Sequence, residues 1–141
     1  MNALTILTQL ILALPLLAIV VNNLIPRETM RHSTIGMSVG VATAQLCASL
    51  AAFAVLAASG EGSFRFSLAW DLGKGLGYFS VDLVTLFLLA CVGLVTLAST
   101  LTAFTTIDDH RSSYTNMLMV MMLGMNGMLM VRDLFSLYVF M

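Results

Sequence analysis

The stretch from Leu83 to Ile107, LVTLFLLACVGLVTLASTLTAFTTI, decides the fold: twenty-five residues pass without a charge. At ~1.5 Å per residue, a helix of that length covers ~37 Å, more than the ~30 Å hydrocarbon core of a bilayer. Three other uncharged stretches accompany it, Met1–Pro26, His32–Gly60 and Ser112–Val131. The six basic and seven acidic residues fall between these stretches or next to them. Only helices and closed barrels satisfy the backbone in lipid, and barrel strands alternate apolar with polar residues, which these runs do not. The expected fold is therefore all-α: a polytopic membrane helix bundle forming a single transmembrane domain over residues 1–141. Four complete transmembrane helices are predicted at about 3–25, 34–58, 83–106 and 113–131. A fifth begins at 134–141.

That last stretch, Arg132-Asp133-Leu134-Phe135-Ser136-Leu137-Tyr138-Val139-Phe140-Met141, reads as a charged boundary followed by the first turns of another span. Leu134 to Met141 would cover ~12 Å of the hydrocarbon core. A free carboxylate at that depth costs at least ~2.5–3.5 kcal/mol on insertion scales. The expectation is a fragment, or one part of a split subunit.

Composition excludes several classes. The chain is 60% apolar, with a mean hydropathy of +1.00. A net charge of -1, with six basic residues scattered over the loops, offers nothing to nucleic acid. The first apolar run lacks a basic flank and a small-residue cleavage site, and it is long enough to span, so it is not a secretory signal. Cys47 and Cys91 both fall inside spans and read as small packing residues. No cofactor is expected in this chain.

Pro15 near the middle of the first helix implies a kink, with neighbouring helices satisfying the carbonyl it frees. The segment Pro26–His32 reads as a short polar turn. On the second helix Gly36, Gly40, Ala44, Ala48 and Ala52 recur at spacing four, a smooth helix-packing ridge facing another helix of this chain or of a partner. The loop after it alternates Phe64, Phe66, Leu68 and Trp70 with Ser63, Arg65, Ser67 and Ala69, which predicts a short strand and a hairpin-like turn near Asp71-Leu72-Gly73. Gly73, Gly75 and Gly77 lack the spacing and the strand-to-helix setting of a phosphate loop. Basic residues divide evenly between the two sides, Arg27, Arg31 and Arg111 against Arg65, Lys74 and Arg132, so orientation is weakly specified. The two arginines of the first loop lean toward an N-terminus outside.

Chemistry-bearing residues are few. The fourth helix carries Met117, Met121 and Met125 at i, i+4 and i+8, with Met128 nearby. Thioethers select Cu(I), but flexible packing is the simpler reading, because no Met- or His-rich loop delivers a metal. Asn116 and Asn126 are the polar residues of that helix. His32 and His110 fall in predicted loops, which leaves no axial ligands for an intramembrane haem. The spans hold no ionisable residue between their ends, and such residues mark ion paths. Asp82, Arg132 and Asp133 sit at span boundaries, and are the candidates for contact with an ion path.

Two phrases carry a resemblance. Tyr78-Phe79-Ser80-Val81-Asp82-Leu83-Val84-Thr85-Leu86-Phe87 is similar to the Val-Asp-x-x-x-x-Phe start of helix three in antiporter-like membrane subunits. Gly124 and Gly127, followed by Arg132-Asp133-Leu134-Phe135-Ser136-Leu137-Tyr138-Val139-Phe140, resemble that family's approach to helix five. The family comprises the proton-pumping subunits of respiratory complex I (an NADH dehydrogenase), related membrane-bound hydrogenases, and multisubunit sodium/proton antiporters. The resemblance covers the first third or so of a typical member. It implies an N-terminus outside and a bacterial or archaeal cytoplasmic membrane. It also implies partner membrane subunits that supply the rest of the fold. In the family, the helix-five phrase runs into a glutamate that pairs with a lysine on helix seven; Met141 stands one position short of that glutamate. The expected role is structural, beside an ion path for protons or sodium rather than carrying it. The alternatives are a non-transporting assembly or anchor subunit and, further off, a Cu(I) transporter built on the methionine ladder.

Overall fold

The computed structural model describes residues 3–24, 30–60, 63–67, 78–106 and 111–131. Four helices dominate: α1 (Ala3–Leu24), α2 (Met30–Ser59), α3 (Leu83–Thr106) and α4 (Arg111–Met130). Between α2 and α3 lie β1 (Ser63–Ser67) and β2 (Tyr78–Asp82). The bundle runs up and down, because short connections force sequential helices to be antiparallel neighbours. The same alternation is visible between α1 and α4, where Ile11 meets Asn126 and Asn22 meets Asn116.

Three helical stretches are long and apolar enough to cross a membrane: Leu4–Leu24, Gly36–Ser59 and Leu83–Ala103. The protein is thus a polytopic, helical membrane protein. α4 has 20 residues, enough for ~30 Å of rise, but falls short on apolarity. Ser112, Ser113, Thr115, Asn116 and Asn126 account for that shortfall, since each replaces an apolar residue of the span.

α2 starts earlier than its apolar stretch does. The helix begins at Met30, which puts Arg31 and His32 in its first turn rather than in a loop. Helical hydrogen bonding is made by the backbone, so a helix can begin before its apolar stretch does. α2 ends at Ser59, whose hydroxyl donates to the Leu56 carbonyl at 2.8 Å. Gly60 follows with φ +70, the left-handed conformation that terminates helices and suits glycine.

The expected strand is β1, shorter than the alternating pattern. The hairpin-like loop is present, with its second strand, unassigned in the sequence, at β2: the two pair antiparallel from Ser63↔Asp82 to Ser67↔Tyr78. The turn expected near Asp71-Leu72-Gly73 lies outside the described residues. β2 closes one end of the bundle. Its Val81 is buried with Leu4, Leu56, Leu86, Met130 and Val131 in the larger apolar core. A second, smaller core of Ala18, Val41, Met119 and Met122 lies toward the other end.

Candidate functional site: a buried amide junction

The polar centre of the bundle is built around a proline. Pro15 has no N–H, so the carbonyl of Ile11, one turn earlier, loses its helical donor. Asn126 of α4 supplies the replacement, donating through Nδ2 to the Ile11 carbonyl at 3.4 Å. The same Nδ2 donates to Gln45 Oε1 at 2.7 Å, and Gln45 Nε2 donates back to Asn126 Oδ1 at 2.9 Å. Gln45 Nε2 also reaches the Leu89 carbonyl of α3 at 3.5 Å. One amide pair therefore ties all four helices. Both side chains are fully buried, with every amide hydrogen and oxygen engaged. In lipid an unpaired amide costs several kcal/mol, so a closed ring is the stable solution.

Gly93 explains how Gln45 gets close enough. A Cβ built at Gly93 would lie 3.3 Å from the Leu46 nitrogen and 3.5 Å from Gln45 Cγ. The missing side chain lets the backbones of α2 and α3 approach, which is the general use of glycine between membrane helices.

A second amide layer lies ~15 Å along the axis, ten residues back on α4. Asn22 Nδ2 donates to Asn116 Oδ1 at 3.2 Å, and Asn116 Nδ2 donates to Asn23 Oδ1 at 3.2 Å. This layer is less complete. Asn22 is 1% exposed, and its Oδ1 has no hydrogen-bond partner. The smaller apolar core separates the two layers, so the polar interior is interrupted. Two of the buried hydroxyls stay within their own helix. Thr96 donates to the Val92 carbonyl and Thr100 to the Thr96 carbonyl, each within its own helix.

The residues singled out in the sequence are scattered relative to this centre. Gly36 and Gly40 are exposed, and a Cβ at either meets nothing within 4 Å. Ala44 is half-buried, whereas Ala48 and Ala52 are buried. The ridge packs inside the chain only in its second half. Gly40→Leu is therefore expected to leave the stability of the isolated bundle within ~0.5 kcal/mol, as for a surface substitution. A thermal melt in detergent checks this. Reduced recovery of a partner subunit with an unchanged melt would show the first half of the ridge packing on another chain.

Met117, Met121 and Met125 face outward, at 73%, 61% and 43% exposure. They line one wall of an open groove of about 1160 Å³ between α3 and α4, with Cys91 and Val95 on the opposite wall. Steps of ~6 Å along the helix let at most two adjacent thioethers share one ion, so the ladder does not converge on a site. No group of three or more His, Cys, Asp or Glu side chains comes together among the described residues. Asp82 ends β2 at the start of α3, paired in register with Ser63. Arg132 and Asp133 lie outside the described residues, as does the 134–141 segment.

Gln45, Asn22 and Asn23 were missed in the sequence. The signal was present: a carboxamide inside a long uncharged stretch has no solvent to satisfy it and requires a partner on another helix. No protein-family model matches the chain, and no curated protein matches its sequence.

Proposed function

We propose that the chain is the N-terminal helical layer of an antiporter-like subunit in a proton- or sodium-translocating membrane complex, where it forms a wall beside the ion path. The single observation that carries the structural role is the closed Gln45–Asn126 junction. Away from the Asp82 carboxylate at the β2 end, the polar groups buried in the described bundle are amides and hydroxyls, and the two amide layers are separated by Ala18, Val41, Met119 and Met122. A proton or cation path needs ionisable groups or a continuous hydrated route. A fully satisfied amide ring instead fixes the register of four helices, which is what a wall requires.

The two sequence phrases at Tyr78–Phe87 and Arg132–Phe140 support the family side of the reading. In this reading α4 crosses the membrane as a fourth span, antiparallel to α1, with its asparagines turned inward and satisfied there. The N-terminus lies outside the cytoplasmic membrane of a bacterium or archaeon. Electron donor and redox cofactors, where the complex has them, belong to partner subunits.

Reconstitution tests the division of labour. Liposomes containing the purified chain, given a proton or sodium gradient, are expected to leak no faster than empty liposomes. Sustained, saturable flux through the chain alone would overturn the structural role.

A further inference from the structure

The two halves of α1 are held in different ways. The first half is seated in the larger core through Leu4 and Ile11, against Leu56, Leu86, Leu89 and Met130. The second half turns Leu16, Leu17, Val20, Val21 and Leu24 outward and keeps a narrow inner face of Pro15, Ala18 and Asn22. That face meets the smaller core, through Ala18 with Ile19 packed beside it, and the amides at the tip. Between the halves stands Pro15, where the helical ladder loses one bond and the freed Ile11 carbonyl is held from α4 instead. Sharp bends in helices concentrate at such positions.

We infer that α1 is hinged at Pro15, and that Leu16–Leu24 swings away from α4 to admit water as far as the Gln45–Asn126 junction. In the closed position Ala18 packs with Val41, Met119 and Met122, a single apolar layer between the two amide layers. Moving Ala18 outward removes the smallest member of that layer and opens it from the end of the bundle where α1 finishes and α4 begins. Met119 and Met122 lose little by the change, because unbranched thioether side chains re-pack readily. The closed position also has a built-in weakness. Asn22 Oδ1 is buried without a donor, and opening hydrates it. The other half of the bundle stays shut, since Leu4, Ala52, Leu56 and Leu86 form a continuous apolar core there. Water therefore enters to mid-bundle without crossing, and the hinge stands independently of any partner complex.

Water access to a thiol at position 18 reads the swing directly, because thiosulfonate labelling requires a hydrated thiolate. The full chain is placed in membrane vesicles with its two native cysteines replaced, Cys47→Ala and Cys91→Ala, and Ala18→Cys added. A charged methanethiosulfonate is expected to label this thiol, and to leave Ala52→Cys in the larger core unlabelled. Adding Pro15→Ala restores the helical bond to the Ile11 carbonyl and is expected to slow labelling about three- to tenfold. Adding Asn116→Leu takes away the acceptor of Asn22 Nδ2 and the donor to Asn23, leaves the buried Asn22 amide in need of water, and is expected to speed it at least about threefold, the factor carried by one intramembrane hydrogen bond of average strength. Labelling of Ala18→Cys no faster than Ala52→Cys overturns the hinge, as does a rate indifferent to Pro15→Ala. Should Pro15→Ala prevent insertion, Asn116→Leu decides alone, and an unchanged rate overturns the inference.

Discussion

Asn126→Leu is expected to lower the stability of the bundle by about 2–5 kcal/mol. The substitution leaves three buried groups without their partner: the Ile11 carbonyl, Gln45 Oε1 and one hydrogen of Gln45 Nε2. Intramembrane hydrogen bonds average ~0.6 kcal/mol and reach ~1.7, which sets the range for three of them. Two companions separate this loss from a simple packing defect. Gln45→Leu together with Asn126→Leu is expected to cost less than the sum of the single changes, since replacing both partners leaves fewer orphaned groups. Pro15→Ala is expected to recover part of the Asn126→Leu loss, because an alanine N–H returns the Ile11 carbonyl to its own helix. Unfolding in mixed micelles with increasing denaturing detergent measures the parent, the three single variants and the two double variants. Strict additivity between positions 15 and 126 would show that the carbonyl is not what Asn126 serves.

Gly93→Leu is the second destabilising substitution. The Cβ would meet the Leu46 backbone at 3.3 Å, and backbone cannot rotate away as a side chain can. The remaining carbons must then push α2 from α3, and Gln45 moves with α2. Overpacking of this kind costs ~1–3 kcal/mol, and loss of the junction adds to it, for an expected ~3 kcal/mol in total. Gly93→Ala behaves differently. A shift of a few tenths of an ångström accommodates its methyl group, and alanine gains ~0.5–1 kcal/mol over glycine inside a helix. The two terms oppose, so Gly93→Ala is expected within ~1 kcal/mol of the parent. The same detergent titration separates the two outcomes, and equal losses for alanine and leucine would contradict the close approach.

What could be read in advance followed from transfer energies. Uncharged stretches of more than 20 residues placed α1, α2 and α3, because burying charge in hydrocarbon is costly at any position. The proline signal was legible as well, including that a neighbour must satisfy the freed carbonyl. Which neighbour was not legible, since Asn126 lies 115 residues from Ile11 and nothing in the local pattern links them. The direction of the small-residue ridge was also hidden. Lipid tails are as apolar as leucine, so hydropathy does not separate a face toward lipid from a face toward another helix. Gly36 and Gly40 face outward while Ala48 and Ala52 face inward, a change of direction along one helix that spacing alone cannot express. β2 was left within the connection ahead of the helix expected at 83–106, because its five residues, Tyr78–Asp82, run into the apolar span without a turn residue between them.

Asn126 and Gln45 thus give the chain a rigid middle, while its outer faces stay apolar and open. Leu16 and Leu17 on α1, Phe53 on α2, Phe87 and Val95 on α3 and the methionine wall of α4 all point outward. Under the proposed function these apolar faces are covered by other membrane subunits. The direct measurement is isolation of the tagged full chain from its native membranes in mild detergent, with every co-purifying subunit identified by mass spectrometry. The expected result is a stoichiometric membrane subunit whose spans contain a glutamate and lysines, together with gradient-driven proton or sodium transport that the chain alone lacks. Recovery of the chain by itself, or with subunits bearing no intramembrane ionisable residue, would contradict its place in an ion-translocating complex.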